Sequence, residues 1–118
     1  MPFALKLKSP LFMAHDIGTT GDKATLWDSE GNLAASYVAK YPTFHPREGW
    51  AEQDPQDWWL AFVTATRELI KMSWLSPNEV EAVSFSGQMM SCLPIDKEGE
   101  PLSRSIIWMD TRSVRQVR

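Results

Sequence analysis

One hundred and eighteen residues, 43% of them hydrophobic and six of them tryptophan, suffice for one domain with a core and exclude a disordered chain. Twelve basic residues against 15 acidic ones give a net charge of −3 with no basic stripe, so nucleic-acid binding is not expected. Cys92 is the single cysteine and His15 and His45 the only histidines, which excludes an internal disulfide and a Cys/His structural zinc site.

Met1 to Lys8 interleaves lysines with apolar residues and lacks the unbroken apolar segment of a secretory signal. With no transmembrane span in the sequence either, a cytoplasmic protein without a membrane partner is expected. Leu11-Phe12-Met13-Ala14 predicts a short buried strand. It runs into His15-Asp16-Ile17-Gly18-Thr19-Thr20-Gly21-Asp22-Lys23, a turn that combines acids, hydroxyls and glycines. Glycines here can take the positive φ of a sharp reversal and let a ligand approach the backbone. Successive N–H groups then form a nest for anionic oxygens, joined by a hydroxyl of Thr19 or Thr20. Asp16, at the strand's end, is placed to hold a hydrated Mg²⁺, and Lys23 to neutralise a phosphate charge. The segment matches neither the G-x-x-x-x-G-K-[ST] loop nor the G-x-G-x-x-G fingerprint, and a plain β-hairpin fits the same residues.

Ala24-Thr25-Leu26-Trp27 and Leu33 to Ala39 predict two further strands around the turn Asp28-Ser29-Glu30-Gly31-Asn32, giving a three-strand meander. Tyr41 to Asp54 reads as a loop whose Tyr41, Phe44 and Trp50 pack rather than dangle. Asp54-Pro55 is an N-cap with proline at the first helical position, and predicts a helix to about Met72. Trp58, Phe62, Ala65 and Leu69, flanked by Trp59, Val63, Thr66 and Ile70, form its wide apolar face. Ser76-Pro77-Asn78-Glu79 has capping-box spacing. Ala82 to Phe85 follows as a buried strand broken by Gly87, Cys92 to Ile95 as an edge strand, Asp96 to Glu100 as a turn, and Ser105 to Trp108 as the last strand. By pattern alone the fold class is mixed α/β.

Four segments carry a family resemblance: Asp16-Ile17-Gly18-Thr19-Thr20 with Lys23; Gly49-Trp50-Ala51-Glu52-Gln53-Asp54-Pro55 with Trp58-Trp59; Ser86-Gly87-Gln88-Met89; and Ile107-Trp108-Met109-Asp110-Thr111-Arg112. In this order they resemble the opening of an FGGY carbohydrate kinase, xylulokinase-like, with residues 1–10 an N-terminal extension and 11–118 the N-terminal part of the substrate-side domain. The resemblance implies a ribonuclease-H-like (actin-like ATPase) domain, the incomplete first part of a two-domain kinase hinged about a cleft. It implies ATP and Mg²⁺ as cofactors and a sugar or polyol as substrate, a pentulose such as xylulose above all, and leaves room for a homodimer.

By that resemblance Asp16, Gly18, Thr19, Thr20 and Lys23 face the phosphates and metal, while Gln88, Met89, Met90, Trp108 and Asp110 face the sugar. Trp108 offers a stacking face and Asp110 a carboxylate for two hydroxyls, or an N-cap for Thr111-Arg112-Ser113. Xylulokinases usually carry histidine where this chain has Met90, and glycerol kinases an arginine and glutamate pair at Met89 and Met90. Glycerol is therefore not expected, and the preference for xylulose is weakened. The general base and the adenosine pocket are expected beyond residue 118, so these residues alone should be inactive. Two other classes fit fewer of the motifs: a non-catalytic actin-like nucleotide-binding protein and a small α/β interaction domain.

Overall fold

A computed structural model describes residues 7–117. The meander is present as β1 (Leu11–Ile17), β2 (Gly21–Trp27) and β3 (Leu33–Lys40). In β1 the side chains alternate, with Leu11, Met13 and His15 buried and Phe12, Ala14 and Asp16 exposed, as the two-residue period of a strand demands. Asp28 fixes the β2–β3 turn by accepting from the backbone N–H of Glu30 and Asn32 and from the Asn32 amide. The Asn32 side chain, foremost among these donors, holds the Asp28 carboxyl down at about 2. Lys8 docks on the same turn through its own N–H to Asp28 and its carbonyl to Ser29, which ties the described part of the N-terminal extension to the sheet. The reading of residues 1–6 as extension lies outside the described residues.

Helix α1 (Pro55–Ser73) starts where expected, with Asp54 accepting from Gln56 N–H at 2.9 Å, and ends at Trp74 in the left-handed region. It lies across β2 and β3. Its deepest line is Ala61, Ala65 and Leu69, spaced by four, because small side chains let the helix approach the sheet. Trp58 and Phe62 flank that line half-buried, and Trp59 is 62% exposed, so the apolar stripe is narrower than the sequence suggested. The core joins Leu11, Met13, Ala24, Leu26 and Tyr41 to this helix face.

After a single 3₁₀ turn (Pro77–Glu79) with both capping-box bonds made, β5, here spanning Val80–Gly87, runs parallel to β1. The sheet order is β3-β2-β1-β5, the mixed arrangement expected of the ribonuclease-H-like unit. One expectation needs correction: β5 is not buried. It stands at the sheet edge, where α1 reaches it only at its margin through Phe62 against Phe85, so Val83 and Phe85 stay 45% and 57% exposed. Short strands β4 (Glu52–Gln53) and β6 (Ser105–Ile106) pair antiparallel as a second sheet. Cys92 to Ile95 is not the expected edge strand. Cys92 bridges Ile106 and Ile95 bridges Pro101 singly, and Pro94 between them cannot donate to a ladder. The last strand stops at Ile106, and Trp108 lies beyond it in a turn.

Gly21 opens β2 because β3 passes too close for any side chain. A Cβ there would meet the Ala39 carbonyl oxygen at 2.5 Å. Gly21→Ala is expected to destabilise the fold by about 1–3 kcal/mol, since two paired strands must separate. Thermal unfolding checks this, and an unchanged Tm would contradict it.

Candidate functional site

β1 ends at Ile17, and Gly18, Thr19 and Thr20 turn the chain into β2, closed by Gly18 N–H donating to Gly21 O at 3.0 Å. The expected positive φ at these glycines is absent; among glycines only Gly31, Gly49 and Gly99 adopt it. The glycines serve close approach instead, and the bonded Gly18 N–H is withdrawn from the expected nest. Tyr41 supports the turn from below by donating its hydroxyl to Gly18 O. Burial, and then the negative charges of Asp22 and Asp16, push the Tyr41 phenol up to about 12, so it remains a donor at neutral pH. Thr20 is exposed at the tip of the turn.

Asp16 and Lys23 are register partners across β1 and β2, so their side chains share the open face of the sheet. They line a shallow cleft of ≈ 230 Å³ with Ala14, Thr25, Ser84 and Ser86. Among the described residues no three His, Cys, Asp or Glu side chains converge. Asp16 therefore offers a single exposed carboxylate. That donor set suits Mg²⁺, which keeps several waters and completes its shell with substrate phosphates.

Sequence reasoning missed a buried pair just beneath. His15 Nδ1 lies 2.7 Å from Asp22 Oδ2, both side chains wholly buried, with Phe62 and Phe85 against the imidazole. Both residues stood inside the glycine-containing segment, but only their contact across the hairpin separates them from the ligand-facing Asp16 and Lys23.

Gln88 and Trp108, two of the residues expected on the sugar side, meet the same end of β1. Gln88 N–H donates to Ile17 O at 2.9 Å, and Trp108 Nε1–H donates to Thr19 Oγ1 at 2.9 Å, so the turn and the distant tryptophan meet directly. Trp108 remains 53% exposed, with ring surface to offer. Met89 and Met90 are 75% and 85% exposed, and Met90 holds φ +60, uncommon for a non-glycine residue. Gln53, quoted within a motif but given no role from sequence, is fully buried at the centre. Its Nε2 donates to Thr19 O at 2.7 Å and Thr43 Oγ1 at 2.9 Å, while its Oε1 accepts from Trp58 Nε1 at 2.9 Å and Gln88 Nε2 at 2.6 Å. Gln88 Oε1 is buried with no partner among the described residues. Such an orphaned acceptor costs about 1–3 kcal/mol unless a ligand or further protein supplies a donor.

Asp110 does not fit its expected contact with two sugar hydroxyls. Oδ2 accepts from Ala51 N–H at 2.7 Å and from Arg112, and Oδ1 accepts the backbone and side-chain N–H of Arg112, so the lone pairs are already committed. The residues after it form turns rather than a helix, which also removes the helix N-cap reading. Arg112 further donates to Glu52 and lies 3.7 Å over the Trp50 ring. Gly49, with φ +75, brings its backbone against Thr111, whose N–H and hydroxyl both donate to Gly49 O. The loop before α1 and the segment carrying Trp108 are thereby locked together.

The family model described as the N-terminal domain of the FGGY family of carbohydrate kinases matches residues 11–118. A glycerol kinase of Synechocystis sp. and a xylulose kinase of Staphylococcus xylosus are each 35% identical over 102 residues, 86% of this chain and 21% of theirs. The chain thus spans about a fifth of the length of these curated relatives. The ligand-bound xylulose kinase structure from Lactobacillus acidophilus superposes with a TM-score of 0.84 at 30% identity, covering 91% of this chain and 21% of that one.

Proposed function

The chain belongs to the FGGY family of carbohydrate kinases, and from that premise we propose that it supplies the opening part of the substrate-side domain of an ATP-dependent kinase for a sugar or polyol, of the pentulose class to which xylulose belongs, with D-xylulose itself a weak substrate. The observation that supports this reading most is the meeting of the two halves of the site. Thr19 of the phosphate turn is bonded to Trp108 and, through Gln53, to Gln88 of the sugar side. Phosphoryl transfer needs a hydroxyl held beside a phosphate and charge neutralised around it.

In this proposal Asp16 holds Mg²⁺, Thr20 and Lys23 contact phosphate, Gly18 leaves the turn open, and Thr19 joins the turn to the sugar side. ATP and Mg²⁺, when bound, supply the transferable phosphoryl group and the neutralisation of its charge. Trp108 stacks on the sugar, Gln88 accepts from a hydroxyl, Met89 and Met90 border it, and Asp110 acts at one remove by holding Trp108's segment. In this proposal the general base and the adenosine pocket are supplied by other parts of the kinase. Among the described residues no helix is long and apolar enough to cross a membrane.

A panel of ketopentoses, pentitols, glycerol and gluconate, assayed with ATP and the full-length protein, tests the reading. Turnover of at least one neutral polyol is expected, with glycerol poor and D-xylulose weak. Met90→His is expected to raise kcat/KM for D-xylulose several-fold, the equivalent of about 1 kcal/mol from one restored donor. Robust wild-type xylulose turnover that Met90→His leaves unchanged or lowers would remove position 90 from the specificity argument. No turnover on any member of the panel would overturn the kinase reading.

A further inference from the structure

We infer that Gln53 is a positioning residue for the sugar site: it fixes the Gln88 amide so that Gln88 Oε1 is presented as an acceptor to a substrate hydroxyl. The inference rests on the kinase reading of this site. It follows from groups that cannot exchange roles. The Trp58 indole N–H only donates, so the Gln53 atom 2.9 Å from it is the oxygen. The Thr19 carbonyl only accepts, so the Gln53 atom 2.7 Å from it is the nitrogen. Both constraints select one amide orientation, and a flip would set donor against donor and acceptor against acceptor.

The next step is forced as well. Gln88 must present its nitrogen to Gln53 Oε1, at 2.6 Å, and its own oxygen is therefore left over, buried and unpartnered among the described residues. The Gln88 side chain lines a cavity of ≈ 210 Å³ at the ends of β1 and β5, with Ile17, Trp58, Ser86, Gly87 and Ser91. An amide oxygen whose nitrogen is already committed can meet only a donor. A neutral hydroxyl satisfies it, whereas a carboxylate at the same place would face it acceptor to acceptor. The polarity of this part of the sugar site is thus set from the indole of α1 through two amides, and at this position it selects a substrate hydroxyl over a carboxylate.

Gln53→Leu, Gln88→Leu and the double variant of the full-length protein test this, assayed on the best sugar of the panel and with the Tm of each recorded. Gln53→Leu is expected to raise the sugar KM at least tenfold while KM for ATP stays within twofold. In the Gln88→Leu background it should add less than twofold, because Gln53 acts through Gln88. Trp58→Phe removes the orienting N–H together with the pyrrole ring while keeping an aromatic side chain in place, and it should raise the sugar KM several-fold, again only while Gln88 is present. This variant decides the matter if Gln53→Leu fails to fold. Penalties that multiply in the double variants, or an equal rise in KM for ATP, would overturn the positioning role and leave the kinase intact. A wild type without ATP-dependent turnover on any sugar would overturn the kinase reading, and this inference with it.

Discussion

In the full-length protein, Asp16→Ala is expected to lower kcat by roughly 10²-fold or more and leave the Tm almost unchanged. Asp16 is exposed at the end of β1 and faces Lys23 across the strands, so its removal opens no cavity and takes no buried partner away. Surface changes of this kind usually alter stability by less than about 0.5 kcal/mol. The proposed metal role predicts the opposite scale for catalysis. A metal-organising carboxylate contributes several kcal/mol of transition-state charge stabilisation, and each 1.36 kcal/mol is a decade in rate. Saturating ATP, Mg²⁺ and sugar, with circular dichroism on the same sample, separate the two effects. Near wild-type turnover in a folded Asp16→Ala protein would remove Asp16 from the metal site.

The meander, the long helix and the capping box were legible because each depends on local chemistry: the apolar run Leu11 to Ala14 and the turn residues after it, the Asp54-Pro55 start, and Ser76 with Glu79, although the run is buried on one face only. The burial of β5 was not legible. Val83 and Phe85 look like core residues in a sequence, yet their exposure is set by which strands α1 covers, a property of the sheet order. The phosphate turn could be located from its residue types, but the work of its glycines could not be assigned. Gly21 is needed by β3 passing beside it, a contact with Ala39 that is distant in sequence. Gln53 shows the same limit more sharply. Its neighbours Thr19, Thr43, Trp58 and Gln88 come from four separate segments, so nothing in its local pattern distinguishes a central amide from a surface one. Asp110 was assigned a ligand from its residue type, while the structure commits it to Arg112 and Ala51.

Asp110→Ala should destabilise the full-length protein by about 2–3 kcal/mol, because it orphans the Ala51 N–H and leaves Arg112 with Glu52 as its one carboxylate partner among the described residues. Asp110→Asn keeps an acceptor and loses only the charge, so it should cost less. The pH dependence identifies the charge itself. The Arg112 guanidinium, ahead of the backbone donors, holds the Asp110 carboxyl down at about 2 from its ordinary 3.8. A carboxyl depressed by folding stabilises the native state above its unfolded value and loses that contribution as pH falls toward its folded one. The gap between wild type and Asp110→Asn should therefore be constant above about pH 5 and narrow from about pH 4 towards 2, as read from urea unfolding at each pH. A gap that stays constant down to pH 3 would show that shape, and not charge, explains the loss. Trp108 lies two residues before Asp110 on the segment this carboxylate clamps to the loop before α1. Loosening the clamp frees the indole to leave Thr19, so Asp110→Ala should also raise the sugar KM, although Asp110 has no lone pair left to give the sugar.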